Sequence, residues 1–161
     1  MSVPQKIVTC LWCNYNAEEA VAFYTSIFQD SKVLSVTRYT EAGPAPKGTV
    51  LTIDFQLAGQ RFVALNGGPG PSYTDAVSLS VDCETQAELD ALWDKLLAGG
   101  GKPAQCGWLK DRFGLSWQIV PTYMQQVLQD PDEAKRDRVM RAMLKMVKLD
   151  IATLKQAAEA R

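Results

Sequence analysis

The chain has 161 residues, of which 47% are hydrophobic and 22% are charged, and its formal net charge is −1. This composition is typical of a soluble globular protein, and the lack of a basic excess argues against a nucleic-acid partner. The longest apolar runs are far shorter than the ~20 residues of a membrane span, and residues 1–15 do not resemble a signal peptide. We therefore expect a cytoplasmic protein with no membrane partner.

The chain contains no histidine. Imidazole is the commonest acid/base group at neutral pH and a frequent metal ligand. Ser-His-Asp triads, Cys-His pairs and histidine-based zinc sites are therefore excluded within one chain. Any chemistry must use carboxylates, Cys, Tyr, Lys or a bound cofactor. The four cysteines lie in apolar, strand-like segments, where reduced thiols are expected in a cytosolic protein.

The first part of the chain predicts a strand, a helix and three further strands. The predicted ranges are residues 6–13, 16–28, 33–40, 51–57 and 62–66. Asn16 is the expected N-cap of the helix, and Gly59 turns the chain between the last two strands. We interpret the Pro- and Gly-containing loop 41–48 as a connector, with a mobile lid as the weaker alternative.

The second part repeats this order after a glycine-rich segment at 66–71. That segment lacks the spacing and the lysine of a phosphate-binding loop, so we interpret it as a linker, or less strongly as a cavity rim. A strand at 76–83, a helix capped by Thr85 and a hairpin at 106–121 that turns at Gly114 follow. The chain is thus predicted to be a duplicated unit, with its function where the two copies face each other.

Beyond Pro121 the pattern becomes helical. Helices are predicted at 123–129, after the capping pair Asp130 and Pro131, and after Asp150. Three methionines in this tail favour adaptable packing against the domain or a second subunit. We therefore divide the chain into paired modules at 1–121, with copies at about 5–67 and 76–121, and a helical tail at 122–161 for packing or dimerisation.

Four segments carry a family resemblance: AEEAVAFYTSIF, FQLAGQRFVALNGGP, SLSVDCETQAELDALWDKL and CGWLKDRFGLSWQIVP. Together they resemble the PhnB-like family, also called 3-demethylubiquinone-9 3-methyltransferase, of the vicinal oxygen chelate superfamily. The resemblance implies an α+β, glyoxalase/bleomycin resistance-like fold. In that fold two βαβββ modules form a curved mixed sheet around a cavity, here followed by C-terminal helices. It also implies a homodimer.

Metalloenzymes of this superfamily hold their ion with four inward side chains, typically His, Gln or Glu. The resemblance places those positions on Thr9, Ala64, Ala76 and Gln118. Only Gln118 is a serious ligand, and a divalent ion needs several strong donors to replace its water. We therefore expect no metal. The chain also lacks the glycine-rich, acid-followed turn of a nucleoside cofactor site, so S-adenosylmethionine and other cofactors are not expected.

A cavity without an ion would have an uncharged lining. The predicted ligand-binding residues are Thr9, Leu11, Asn66, Ser78, Trp108 and Gln118. An apolar lining with a few orienting polar groups is typical of sites for small organic molecules. We therefore predict that the protein binds such a molecule between its modules without a metal.

Two alternatives remain open. The first is a metal-free isomerase, lyase or transferase that uses Cys106 or a carboxylate, since strand alternation places Lys110 on the same face as Cys106. The second is a structural or interaction protein with a filled core. Cys10 and Cys13 have the CxxC spacing, but they lie on opposite faces of a predicted strand, which favours a packing role.

Overall fold

The computed structural model describes residues 5–160, which fold into eight strands and five helices. The chain divides into two compact units, Met1–Ser72 and Tyr73–Arg161. Each unit contains the element order βαβββ, and the second unit continues into three helices. This confirms the predicted α+β fold of two βαβββ modules followed by C-terminal helices. Each unit has one open, mixed sheet of four strands.

The first unit consists of one helix on a mixed sheet. Its elements are β1 (Thr9–Cys13), α1 (Ala17–Ile27), β2 (Lys32–Arg38), β3 (Val50–Leu57) and β4 (Gln60–Asn66). The sheet order is β1-β4-β3-β2, with β1 parallel to β4 and the other pairs antiparallel. The buried face of α1 includes Ala20 and Tyr24, and the buried sheet face includes Phe55 and Phe62, whose rings stack at 5.7 Å. The core of this unit therefore lies between α1 and one face of the sheet.

The second unit repeats this arrangement. Its elements are β5 (Leu79–Cys83), α2 (Gln86–Leu97), β6 (Lys102–Pro103), β7 (Trp108–Lys110) and β8 (Ser116–Pro121). The sheet order is β5-β8-β7-β6, with β5 parallel to β8. Leu89 and Trp93 of α2 and Trp117 and Ile119 of β8 are buried. The hairpin of β7 and β8 confirms the predicted hairpin, whereas β6 was not predicted because two residues are too few to show alternation.

Two strands begin later than predicted. Residues 6–8 and 76–78 lie outside the strands, and the side chains of Ile7 and Val77 are 88% and 69% exposed. The parallel pairs form only from Thr9 with Phe62 and from Leu79 with Trp117. Both segments were predicted as strands because they contain apolar residues, but most of these side chains are exposed and the segments do not join the sheets.

The tail of the second unit consists of α3 (Thr122–Leu128), α4 (Glu133–Met143) and α5 (Ile151–Glu159). Asp150 caps α5 as predicted, because its Oδ1 accepts a hydrogen bond from Thr153 N at 2.7 Å. The predicted cap of α4 at Asp130 is wrong: Asp132 occupies that position and accepts from Lys135 N at 3.2 Å. The Asp130 carboxylate instead accepts a hydrogen bond from Asp132 N, so Asp130 lies two residues before the N-cap of α4. Within residues 5–160, none of the helices combines the length and apolarity that a bilayer crossing requires.

Candidate functional site

The side chains predicted to line the cavity in the first unit lie beneath α1. Asn66 is 1% exposed, and its Oδ1 accepts a hydrogen bond from Ala17 N at 2.9 Å. Its Nδ2 donates to Glu18 Oε2 at 3.1 Å and to the Val50 carbonyl at 3.0 Å. Asn66 therefore holds the N terminus of α1, where the side chain of Asn16 makes no capping bond. Both N–H groups of its amide are therefore used within the unit, and a ligand could take one of them only by breaking these bonds.

Leu11 and Thr9 share the face of Asn66. Leu11 is 4% exposed and pairs with Ala64, and Thr9 pairs with the buried Phe62. Cross-strand partners point to the same side of a sheet. Leu11 and Asn66 thus belong to the packed interior of the unit, and their role in ligand binding stays a prediction.

Strand residues that were matched between the two modules from the sequence differ by a shift of one residue in the structure. Cys13 pairs with Asn66 in the first parallel pair, and Cys83 pairs with Pro121 in the second. Gln118 in the second unit therefore corresponds to Val63 and not to Ala64. A shift of one residue along a strand moves every side chain to the other face. The first-unit side chains on the face turned away from α1 are Cys10, Trp12, Thr52, Asp54, Val63 and Leu65.

The predicted residues of the second unit lie on the face turned away from α2. Gln118 pairs with Trp108 across the hairpin, while the adjacent Leu109 and Trp117 are buried in the core. Gln118 Nε2 donates a hydrogen bond to Ser78 Oγ at 2.9 Å. The structure thus brings Ser78, Trp108 and Gln118 together on one open surface. Their role in binding stays a prediction.

A pocket of about 580 Å³ opens beside β6 and β7. It is lined by Asp75, Lys102, Pro103, Ala104, Gln105, Cys106, Trp108, Leu109, Lys110 and Ser116. Trp108 and Lys110 lie on the face turned away from α2, because they alternate with the buried Leu109. Ser116 is the cross-strand partner of Lys110 and shares this face, although it is itself only 1% exposed. Cys106 and Trp108 were predicted from the sequence as site residues, whereas Asp75, Lys102 and Ser116 were not. The alternation of Ser116 with Trp117 could have indicated on which face of β8 Ser116 lies. Lys102 lies in β6, whose two residues are too few to show alternation in the sequence.

The pocket lining includes a polar cluster of Asp75, Lys110 and Ser116. Ser116 Oγ donates to Asp75 Oδ1 at 2.5 Å, and Lys110 Nζ lies 3.2 Å from the same oxygen. The hydrogen bond from Ser116 and the ammonium group of Lys110 hold the pKa of Asp75 below its usual value. Asp75 is therefore a carboxylate at neutral pH and a poor general base, and its main effect is to orient Lys110.

The loop that carries Cys106 is attached to the helical tail. Cys106 N donates to the Met146 carbonyl at 2.9 Å, and Gly107 N donates to the Val147 carbonyl at 2.7 Å. Gly107 has a φ of 82°, and a Cβ there would lie 2.9 Å from the Ile119 carbonyl oxygen. The segment between α4 and α5 therefore fixes one wall of the pocket. Cys106 is half-buried there beside Lys110, and its suggested catalytic role stays untested.

The remaining cysteines have the features of structural thiols. Burial, with the nearby charges of Glu88 and Asp82, raises the pKa of Cys83 to about 12. Burial also raises the pKa of Cys10. Cys13 is buried and donates to the Leu11 carbonyl at 3.7 Å, and its neighbour in the CxxC spacing, Cys10, lies on the opposite, exposed face. This arrangement favours packing over redox chemistry.

The side chains present do not fit a divalent metal ion. Ala64 is buried beneath α1, on the same face as Thr9, and neither Ala64 nor Ala76 carries a donor atom. Within residues 5–160, no three His, Cys, Asp or Glu side chains lie close enough together to hold an ion. A hydroxyl and one amide do not replace the water shell of such an ion.

Asp111 holds the turn between β7 and β8. It is 3% exposed, and its Oδ1 accepts from Phe113 N at 2.8 Å and from Leu115 N at 3.1 Å. Its Oδ2 accepts from Trp117 Nε1 at 2.9 Å. The carboxylate is thus satisfied by the hairpin itself, so Asp111 stabilises the turn.

Two segments of the first unit, loop 41–48 and the glycine-rich segment 66–71, are held by internal hydrogen bonds. Gly48 N donates to the Tyr39 carbonyl at 2.9 Å, and Tyr39 N donates to the Thr49 carbonyl at 2.8 Å, which closes loop 41–48 as a connector. In the glycine-rich segment, Gly67 N donates to the Cys13 carbonyl, and Trp12 Nε1 donates to the Gly68 carbonyl at 2.8 Å. These bonds favour a structural role for both segments.

Comparison with known proteins adds to this geometry. A family model described as 3-demethylubiquinone-9 3-methyltransferase matches residues 5–120. Among solved structures, a PhnB protein from Bacillus cereus is 39% identical, with a TM-score of 0.66 over 73% of this chain and 99% of that one. None of the curated proteins is similar enough to the chain to count as a match.

More distant structures share the fold alone. A glyoxylase/bleomycin resistance protein/dioxygenase domain from Frankia is 17% identical, with a TM-score of 0.50 over 74% of this chain and 93% of that one. The fosfomycin resistance protein FosX from Listeria monocytogenes is 13% identical, with a TM-score of 0.52 over 74% of this chain and 94% of that one. The fold is therefore of the glyoxalase/bleomycin resistance type.

Proposed function

Since the chain belongs to the PhnB-like, 3-demethylubiquinone-9 3-methyltransferase family of the vicinal oxygen chelate superfamily, we propose that it binds a small organic molecule without a metal. The observation that carries this proposal is the pocket beside β6 and β7. Its volume lies within the roughly 300–1,000 Å³ range of small-molecule sites. Trp108 supplies a flat apolar surface, and Ser78 and Gln118 add neutral polar groups on the same face.

The chain's own strand-to-helix turns argue against a methyl-donor nucleoside cofactor. The segment between β1 and α1 is Asn14-Tyr15-Asn16, and the segment between β5 and α2 is Glu84-Thr85, so neither contains glycine. Nucleoside cofactors are held where a glycine lets the backbone approach the phosphate or ribose at the start of a helix. We therefore propose binding of an organic ligand, and not methyl transfer, as the role of this chain.

A thermal-shift screen of organic compounds, together with metal analysis of the purified protein, tests this proposal. A ligand that binds only the native state raises the melting temperature. We expect such ligands to act equally well before and after treatment with a chelator. Trp108→Leu should reduce the shift, whereas Leu144→Ala, at a side chain that is 58% exposed and outside the pocket lining, should not. A stoichiometric divalent ion, with binding lost on chelation, would contradict the proposal.

We also propose that the protein forms a homodimer. Strand β2 is the edge of its sheet and is exposed along its whole length, including Val33, Leu34 and Val36 at 45–51%. An exposed apolar edge strand is a template for pairing with another chain. Light scattering on the purified protein should give the mass of two chains, and Val36→Lys should shift the mass towards one chain. A mass of one chain at all concentrations would contradict this proposal.

A further inference from the structure

The pocket contains a row of two cationic side chains and one hydroxyl across three neighbouring strands. Lys102 of β6 and Lys110 of β7 are direct cross-strand partners, and Lys110 in turn pairs with Ser116 of β8. Cross-strand partners share a face, so both ammonium groups stand on the side of the sheet that lines the pocket. Like charges directly opposite each other on an antiparallel pair are destabilising. Such a pair becomes favourable when an anion lies between the two groups.

The protein supplies only one carboxylate to this row. Asp75 Oδ1 lies 3.2 Å from Lys110 Nζ and also accepts the hydroxyl of Ser116. The ion pairs of residues 5–160 do not include Lys102. The charged side chains of the lining are two lysines and one aspartate, which leaves one net positive charge.

The rest of the lining is apolar and partly flat. Trp108 is half-buried, and Pro103 and Ala104 add apolar surface to the lining. Aromatic side chains stack on flat ligands in an offset or edge-to-face arrangement. A single inorganic anion would leave most of the roughly 580 Å³ unfilled. The charge and the shape of the lining therefore call for a ligand with two parts.

Building on the proposed function, we propose that this pocket takes an organic anion with a flat apolar part. Lys102 and Lys110 bind the acid group, with Asp75 and Ser116 orienting Lys110, and the ring of Trp108 packs against the apolar part. The positive row selects against neutral molecules of the same shape, since these leave the two ammonium groups opposed. The lining thus assigns a chemical class of ligand: aromatic or conjugated carboxylates and their relatives.

The test is a matched pair of probes, 2-naphthoate and its neutral isostere 2-naphthamide, titrated by calorimetry. We expect 2-naphthoate to bind about fivefold more tightly, because its carboxylate forms a half-exposed ion pair. Added salt should weaken this preference, since screening acts on the ion pair alone. Lys102→Met should make the two probes bind about equally. Lys95→Met, which removes the same charge from the last turn of α2, should leave the preference unchanged.

The outcomes separate this inference from the proposed function. Equal affinity of the two probes for the unmodified protein, or a preference that survives in Lys102→Met, would overturn the anion assignment. Absence of binding by both probes would also overturn it. If the anion assignment is overturned in one of these ways but neutral compounds raise the melting temperature in the thermal-shift screen, this inference fails while the proposed function stands. If no organic compound does so, the proposed function fails as well.

Discussion

At the scale of single residues, the pocket depends on side chains that do not touch it. Asp111 lies just beyond β7 and ties two backbone amides and the Trp117 indole to one carboxylate. Trp117 is buried on the face of β8 that is turned towards α2, whereas its neighbours Ser116 and Gln118 lie on the opposite face. The orientation of the hairpin strands, and with it the position of Trp108 and Lys110, therefore follows from this one carboxylate.

Replacement of Asp111 by alanine tests that dependence. The substitution leaves buried donors without partners, and we expect it to lower the free energy of unfolding by about 3 kcal/mol. Asp137→Ala removes a carboxylate whose ion pair with Arg141 is exposed, and it should change stability little. Urea unfolding of both variants measures the difference. Similar stability of the two variants would show that Asp111 does not support the hairpin.

Asn66 shows that the type of a residue does not reveal which group its side chain binds. An amide in a predicted strand indicates hydrogen-bonding capacity, and both a ligand and a helix N terminus use that capacity. The choice between them depends on which face the side chain occupies. Apolar residues on both sides of β1 gave no periodic signal for that face. The sequence therefore predicted the residue as polar and inward but not its partner, Ala17 N.

At the scale of elements, helices were easier to predict than strands. The Thr85 cap of α2 is confirmed by a hydrogen bond from Glu88 N at 3.2 Å, and the Asp150 cap of α5 is confirmed in the same way. Capping depends on residues three apart in the sequence, so the signal is local. The strand β6 and the tether between the Cys106 loop and residues 146–147 join segments distant in sequence, and no local pattern indicates them.

The hydrogen bonds between the Cys106 loop and residues 146–147 lead to a prediction about two glycines. Gly107→Ala places a methyl group 2.9 Å from the Ile119 carbonyl oxygen and 3.0 Å from the Leu149 side chain, at a φ of 82°. Gly114→Ala has a similar φ of 85° but meets no atom within 4 Å. We expect about 1 kcal/mol of destabilisation for Gly114→Ala from backbone strain, and about 2 kcal/mol more for Gly107→Ala from crowding.

Unfolding in urea measures both glycine variants, and the binding of 2-naphthoate provides a second readout. Gly107→Ala should also weaken binding, because the loop with Cys106 moves away from the tail. Gly114→Ala should bind normally. Equal stability and equal binding of the two variants would contradict the claim that the tail fixes the wall of the pocket.

At the scale of the whole molecule, the repeated order of strands and helices could be predicted from the sequence. The face of the sheet on which each strand residue lies could not. Alternation and turn residues gave a strand, a helix and further strands in both halves, the family resemblance implied βαβββ for each, and both units confirm that order. The matching of Gln118 to Ala64 was wrong by one residue, because the correspondence depends on parallel pairs between β1 and β4 and between β5 and β8. Parallel neighbours are distant in sequence, so only the structure fixes their register.

The four tryptophans report on the two faces of each sheet. Trp93 and Trp117 lie in the helix-covered core, Trp108 lines the pocket, and Trp12 stands on the face of the first sheet turned away from α1. The most direct test is an NMR titration that follows the four indole N–H signals as 2-naphthoate is added, with assignments from single Trp→Phe variants. We expect the signal of Trp108 to shift most and those of Trp93 and Trp117 to stay in place. The largest shift at Trp93 or Trp117, or no shift at Trp108 in the presence of bound ligand, would contradict a binding site on the open face of the second sheet.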